Sequence, residues 1–306
     1  MAGYTDRAMR LVCREQGAAF ATTGAILDKS ATAPGVLDLP EFTVTKKDHP
    51  LAAQIIGHDP TKMADAAQAL SDKGYDAIDI NFACPVRKVL ARKRGGWLMS
   101  NSDHAIEIFS HVRTATSLPL IVKLRRGFDD SAQSTRHFWR IIEYLAGNGV
   151  NAVILHGRTV EQLYRGKADW SAISEVKRRF PSLTVIGSGD IKDAETAVER
   201  LRSGNVDGIS IGRGAVGDPW IFARTLALLN GGTVVPPPNI TEQRKMLERH
   251  LSLACEIYDF KKAMLKLRNV WIRYARHHAH RKNVQQDLMQ ALTPHEWETA
   301  IERWYA

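Results

Sequence analysis

The stretch Asp76-Ala-Ile-Asp-Ile-Asn-Phe-Ala-Cys84-Pro-Val-Arg-Lys88 decides how the chain is read. Ala77-Ile-Asp-Ile80 has the make-up of a buried strand, and Pro85, which continues neither a ladder nor a helix interior, breaks it. Asn81 and Cys84 therefore stand just past a strand's carboxyl end. Five cations follow within eight residues (Arg87, Lys88, Arg92, Lys93 and Arg94), with no acid before Ser102. A free cysteine is usually a small buried hydrophobe. A thiol beside an amide and a cationic lip suggests instead chemistry on a polyanion, and the remaining chain has to decide.

The 306 residues suffice for one large domain plus an appendage, and 44% hydrophobic with 25% charged residues is a folded composition. A net charge of +9 and a pI of about 9.5 point to a polyphosphate partner. Cys13, Cys84 and Cys255 are odd in number and far apart, which argues against a disulfide framework or a metal cluster, so no metal is expected. No apolar run approaches a membrane span of about 20 residues and no signal peptide opens the chain, so the expected setting is the cytoplasm, without a membrane partner.

Thr5 or Asp6 is a plausible cap for a helix running through Arg14. Short apolar strands then alternate with helical patterns. Strands are expected at 18–23, 51–56, 77–81, 120–124, 152–156, 183–187 and 208–212, and helices at 61–73, 102–116, 134–148, 168–179 and 194–203. Such alternation, with near-continuous Ile/Val/Leu strands, implies an α/β parallel sheet covered by helices. The Gly-x-Gly-x-x-Gly of an open dinucleotide-binding sheet is missing after the first strand. Polar groups close nearly every strand instead: Gln54, Asn81 with Cys84, Lys123 with Arg125, His156 with Arg158, Ser188 with Asp190, and Gly212 with Arg213. Function drawn from many strand ends predicts a closed (β/α)8 TIM barrel. Seven strands are visible, and the missing one is expected before Met1. Residues 1–230 form the predicted catalytic domain. Residues 231–239 make a Gly/Pro linker, and 240–306 a small all-helical domain with helix starts at Thr241-Glu242 and Thr293-Pro294.

Gly187-Ser-Gly-Asp190 and Gly212-Arg-Gly214 fall where late strands turn towards helices. Glycines let backbone N–H groups approach an anion, and loops after the seventh and eighth barrel strands often bind phosphate. Lys123 alone is polar in Leu-Ile-Val-Lys-Leu; it is open to reading as an amine nucleophile, an ion-pair partner or, beside a phosphate-bearing cofactor, a cation at a flavin's pyrimidine edge. His156 is as often a scaffold as an acid, and Trp170 reads as packing. Residues 261–282 hold eight lysines and arginines and no acid. A one-sign helix of this kind is best explained by phosphate-backbone contacts.

Taken jointly, several segments resemble the tRNA-dihydrouridine synthase family. They are Met1-Ala-Gly-Tyr-Thr-Asp-Arg, Gln54-Ile-Ile-Gly, Asp79-Ile-Asn81-Phe-Ala-Cys84-Pro-Val-Arg-Lys88, Val122-Lys123-Leu-Arg125, His156-Gly-Arg158-Thr159, Gly187-Ser-Gly-Asp190, and Ile211-Gly-Arg-Gly-Ala215 with Pro219-Trp220. Each is weak alone; their order and spacing are specific. The resemblance implies an FMN-holding barrel, a C-terminal tRNA-binding domain, and NADPH or NADH as reductant for the C5=C6 bond of uridines in tRNA. It implies a hydride passing from flavin N5 to C6 and a proton from Cys84 to C5. Met1 and Ala2 would touch the flavin through backbone, and Gln54, Lys123 and His156 would meet its ring. Ser188, Gly189, Asp190, Gly212 and Arg213 would hold its phosphate end. On the substrate side Asn81 would help hold the uracil, and Arg87, Lys88, Arg125, Arg158, Lys266, Arg273 and Arg276 are expected to face the tRNA. A free thiol, with a pKa near 8.5 in peptides, is mostly protonated at neutral pH, which suits an acid role. The expected form is a monomer with no obligatory protein partner.

Three departures from the family pattern stand out. An apolar strand ending Ala-Pro normally precedes Met-Ala-Gly; either barrel strand one is absent, which would open the barrel and endanger flavin affinity, or the gene start is assigned too late. Ser188 replaces the usual Asn, and Lys93-Arg-Gly-Gly-Trp97 replaces a smaller loop after the cysteine. Two other readings compete: an FMN barrel acting on a small pyrimidine or enone, and a flavin-free tRNA-binding protein.

Overall fold

The computed structural model describes residues 3–306, so the flavin contacts expected of Met1 and Ala2 lie outside the described residues. The strands are β1 (Ala21–Thr22), β2 (Ile26–Leu27), β3 (Leu51–Ile56), β4 (Ala77–Asn81), β5 (Leu120–Arg125), β6 (Ala152–His156), β7 (Val185–Ser188) and β8 (Gly208–Ser210). All pair in parallel, in the order β1-β3-β4-β5-β6-β7-β8, with β2 also on β3. The strand expected at 18–23 is thus two short pieces at one position of the sheet. Thr23 interrupts it: the Gln54 N–H donates to Thr23 Oγ1 (2.9 Å) rather than to a ladder carbonyl. Among the described residues β1 and β8 are each paired on one side only, so the barrel stands open between them.

Side chains alternate across a strand, and this sorts the sheet's residues. Ile78 and Ile80, Val122 and Leu124, and Val153 and Leu155 face the outer helices in the large core. Facing inward at the base, Ala52, Ala77, Ile121, Ala152 and Ile154 form a separate apolar plug, with Ile186 against it. Continuing the same inward rows toward the carboxyl ends brings Gln54, Asp79 and Asn81, Lys123, and His156 above that plug. The site is therefore a polar layer on an apolar floor.

The helices are α1 (Arg7–Glu15), α2 (Asp28–Ala31), α3 (Pro60–Asp72), α4 (Arg87–Leu90), α5 (Ser102–Ala115), α6 (Ala132–Gly147), α7 (Trp170–Arg179), α8 (Ala194–Ser203), α9 (Ile221–Leu229), α10 (Ile240–Cys255), α11 (Phe260–Tyr274), α12 (Arg281–Gln290) and α13 (Pro294–Tyr305). Asp6 caps α1 by accepting from the Met9 N–H. Capping boxes open α10 at Asn239/Glu242, two residues ahead of the predicted start, and α13 at Thr293/Glu296. A second core joins Ala8, Met9, Leu11 and Val12 of α1, with Ala215, Val216 and Ile221, to the buried faces of α10–α13. Among the described residues no helix is long and apolar enough to cross a membrane.

One buried ion pair ties α1 to the barrel. Arg10 Nε and its terminal nitrogen donate to both oxygens of Asp48 (3.0 and 2.5 Å), with the side chains 5% and 0% exposed. Removing one partner of such a pair leaves an uncompensated buried charge. We expect Asp48→Ala to lower stability by about 3–5 kcal/mol, and Arg10→Met with Asp48→Leu together to cost far less. Urea unfolding of the three proteins checks this.

Candidate active site

The chain end of β4 is shaped by one amide. Asn81 Oδ1 accepts from the N–H groups of Ala83 and Cys84 (3.0 Å each), and Asn81 Nδ2 donates to Gln54 Oε1 (2.8 Å). Gln54 Nε2 in turn donates to Asp79 Oδ2 (2.7 Å), which also accepts from Thr22 Oγ1 (3.2 Å). This relay crosses strands because parallel register sets Gln54 opposite Asp79. Cys84 leaves the turn partly exposed. Its carbonyl accepts from the Gly96 N–H (2.9 Å), and a Cβ at Gly95 would lie 2.9 Å from Cys84 Cβ. The 3-10 segment Gly95–Ser100 thus rests on the cysteine, and only glycines permit the approach. Arg125 closes the third side: Nε donates to Ala83 O (2.9 Å), and the guanidinium also bonds Thr159 O (2.7 Å) and Leu163 O (2.8 Å).

Three sequence readings change here. Gln54 and Asn81 spend their side-chain groups on Asp79, on each other and on the cysteine turn, so contact with a ring or a uracil is not their main engagement. Arg125, 3% exposed, is a clamp on three backbone carbonyls rather than a free cation facing RNA.

Charge is crowded behind the thiol. The register places Lys123 opposite Asn81. Burial pushes the Lys123 amine down, opposed by Asp79; burial pushes the Asp79 carboxyl up, opposed by Gln54 and Lys123. Both are thereby drawn toward their neutral forms. His156 is pushed down to about 3, first by burial and then by Arg125, Lys123 and Arg158, so its ring is neutral. Its Nε2 and Asp79 Oδ1 are buried without a hydrogen-bond partner among the described residues. Arg125 lies within electrostatic reach of Cys84, Tyr164 and Arg213, and Lys123 within reach of Arg125.

The two glycine loops meet each other. A Cβ at Gly214 would fall 2.4 Å from Ile191 O, so the backbones touch. The N–H groups of Gly189, Asp190, Gly212, Arg213 and Gly214 find no acceptor among the described residues. Such a nest suits a phosphate. Neither loop abuts a helix start, however: α8 begins at Ala194 and α9 at Ile221, so these loops offer backbone amides and not a helix dipole. Asp190 and Arg158, read as phosphate and tRNA residues, are paired with each other (2.8 Å), and Asp190 also accepts from the Ala168 N–H (2.8 Å). Although burial alone would raise it, these bonds hold the Asp190 carboxyl below the usual range. Its backbone remains available to an anion and its side chain does not. Trp170 packs where Gly187 has no Cβ, and its Nε1 donates to Gly189 O (3.1 Å). Ser188 is half-buried beside this turn, and the Arg213 guanidinium, exposed, stacks 4.7 Å from the Tyr164 ring. The unpartnered His156 nitrogen, the free amides and the glycine-lined approach together fit a planar polar ring carrying a phosphate.

Outside the mouth, Arg87 and Lys88 open α4 and are exposed, whereas Arg94 reaches buried Asp28 (3.6 Å). The basic segment 261–282 is α11, a 3-10 turn at Ala275–His277 and the start of α12. Lys261, Lys262, Lys266, Arg268 and Arg273 share the exposed face of α11. Arg276, expected among the RNA contacts, pairs instead with Asp218 (3.0 Å) and Gly214 O (3.2 Å) and is half-buried. Asp79, Tyr164 and Asp218 escaped the sequence reading. Asp79 alone carried a signal, as a lone acid in an apolar strand.

An α/β barrel with a thiol, a lysine and two glycine loops bearing free amides at its strands' carboxyl ends is an enzyme of the TIM-barrel class. The family described as "Dihydrouridine synthase (Dus)" matches residues 1–304, and the chain belongs to that family. It is 32% identical over 315 residues to tRNA-dihydrouridine synthase B of Xanthomonas campestris pv. campestris, covering 100% of this chain and 90% of that one. It is 33% identical over 282 residues to tRNA-dihydrouridine synthase B of Shewanella oneidensis (91% and 83% covered). Among solved structures, histamine dehydrogenase from Rhizobium sp. 4-9 matches at TM-score 0.56 and 14% identity, covering 82% of this chain and 47% of that chain. A 2-naphthoyl-CoA reductase matches at 0.58 and 10%, covering 76% and 47%. This chain spans about half of each of these two structures, and at such identity the likeness speaks for the fold alone.

His156 and buried His250, both held near 3, give a pH prediction. An unfolded histidine titrates at about 6.5, so the unfolded chain takes up protons that the folded one refuses. Stability should be full above that pH and fall as the pH drops toward 3. Urea midpoints across that window test it, and His156→Asn should flatten the dependence.

Proposed function

We propose that this chain reduces uridine to dihydrouridine in tRNA, with FMN at the barrel mouth, residues 1–230 carrying the chemistry and 240–306 helping to grip the nucleic acid. The observation that supports this reading is the turn that carries Cys84, held by Asn81, Gly96 and Arg125 at strand ends adjoining those of Lys123 and His156. Bound there, FMN would supply the hydride for uracil C6, replenished by NADPH or NADH.

The chain's own residues supply the rest. Gly189, Gly212 and Arg213 would take the phosphate through free N–H groups and a guanidinium, with Ser188 beside them. Lys123 and the neutral His156 would face the ring, the amine stabilising negative charge and the imidazole offering its unpaired nitrogen. Cys84 Sγ gives its proton to uracil C5, and the partly exposed sulfur can recover one from solvent. A stacked uridine has to be swung out to reach the mouth, so the polynucleotide must be held elsewhere. Arg87 and Lys88 beside the thiol, and the exposed face of α11 with Lys266 and Arg273, would provide that grip. The far end of α11 packs on the loop after β8, because a Cβ at Gly217 would fall 2.4 Å from the Arg273 carbonyl carbon.

Purified protein carrying a visible flavin absorbance and forming dihydrouridine in unmodified tRNA would establish this reading; absence of either would remove it. Cys84→Ala should keep flavin and tRNA binding and lose about 10²–10⁴-fold in turnover, the usual yield of a positioned acid. Wild-type turnover in that variant would end the proton-donor role. Lys266→Glu with Arg273→Glu should weaken tRNA retention and lower its salt dependence by about one unit of slope per lost phosphate contact. Flavin content should stay unchanged, and filter binding over a salt series reads the difference.

A further inference from the structure

The segment from β8 to α9 carries a device that the chemistry above leaves unused. Residues 212–218 run through consecutive turns, with the Ala215 N–H donating to Gly212 O (3.1 Å) and the Asp218 N–H to Ala215 O (3.0 Å). Gly214 presses this loop onto Ile191, and Gly217 presses it onto the end of α11. Asp218 is 4% exposed and needs compensation for its charge. Arg224 approaches its Oδ2 at 2.5 Å and Arg276 at 3.0 Å, while His277 stands 3.8 Å from Oδ1. The same Arg276 nitrogen reaches Gly214 O at 3.2 Å. One guanidinium from the helical unit therefore holds the loop at two points, at Gly214, where the free amides end, and at its last residue, Asp218.

We infer that Arg276 is a positioning residue for the flavin-phosphate loop, held to its task by Asp218, and not a tRNA contact. This rests on the assignment of the 212–214 amides to a phosphate. A carbonyl anchored at Gly214 orients the peptides before it, so their N–H groups converge on an anion without being reordered when it binds. Loss of the anchor should be felt by the phosphate alone, since the flavin ring meets other residues.

Flavin-stripped full-length protein titrated with FMN and with riboflavin, which lacks the phosphate, separates the possibilities. Wild type should bind FMN more tightly. Arg276→Gln should weaken FMN by about tenfold, the scale of one charge-assisted hydrogen bond, and leave riboflavin within about twofold. Arg276→Lys should recover part of the loss, and tRNA retention by Arg276→Gln should match wild type at every salt concentration. Equal changes for both flavins, no change for either, or a tRNA defect as large as that of Lys266→Glu with Arg273→Glu would overturn the inference. Should Arg276→Gln not fold, Asp218→Asn reads the same ratio. Equal wild-type affinities for FMN and riboflavin would instead remove the phosphate assignment itself, and this role with it.

Discussion

Two backbone N–H groups at the end of β4, those of Ala83 and Cys84, both donate to Asn81 Oδ1. That bifurcated acceptance turns the chain sharply enough to present a thiol where a parallel strand would otherwise run on toward its helix. It also commits Asn81 Nδ2 to Gln54, and through Gln54 to Asp79, so the cysteine's position is wired to the floor of the barrel. Buried polar groups joined in this way rigidify because an unmade bond in low dielectric is costly. The thiol is held from behind by that relay, from above by Gly96, and from the side by Arg125.

The electrostatic character of the mouth follows from the same layering. Lys123, Arg125, His156 and Arg158 crowd above an apolar plug, and burial disfavours charge on each that can lose it. The histidine responds by staying neutral and the lysine by yielding part of its affinity for a proton. Arg125 and Arg158 stay buried because each bonds backbone carbonyls, and Arg158 also has the Asp190 carboxylate. An anion entering this mouth meets cations already desolvated and fixed, the condition under which electrostatics acts most strongly.

The helical segment is less an appendage than a second wall. It shares a core with α1 and with the loop after β8, and Asp218 collects cations from α9 and from the turn after α11. One short loop thus packs on Ile191 through Gly214 and on the end of α11 through Gly217.

Strands β3, β4 and β6 were legible to the residue because parallel strands buried on both faces are written as continuous apolar runs. Cys84, Lys123 and His156 stood out as chemically capable types at strand ends, and the exposed cations of α11 as an excess of one sign. What the sequence could not show was who partners whom. Gln54, Asn81, Arg125, Arg158, Asp190 and Arg276 all looked like groups awaiting a ligand, and each is engaged by protein. Their partners lie tens of residues away and meet them only through register, loop docking and the packing of α11. Composition and period are local properties and determine which segments become strands and which faces turn inward. Satisfaction of a buried polar group is a non-local property, and only the packed arrangement of the strands and helices decides it.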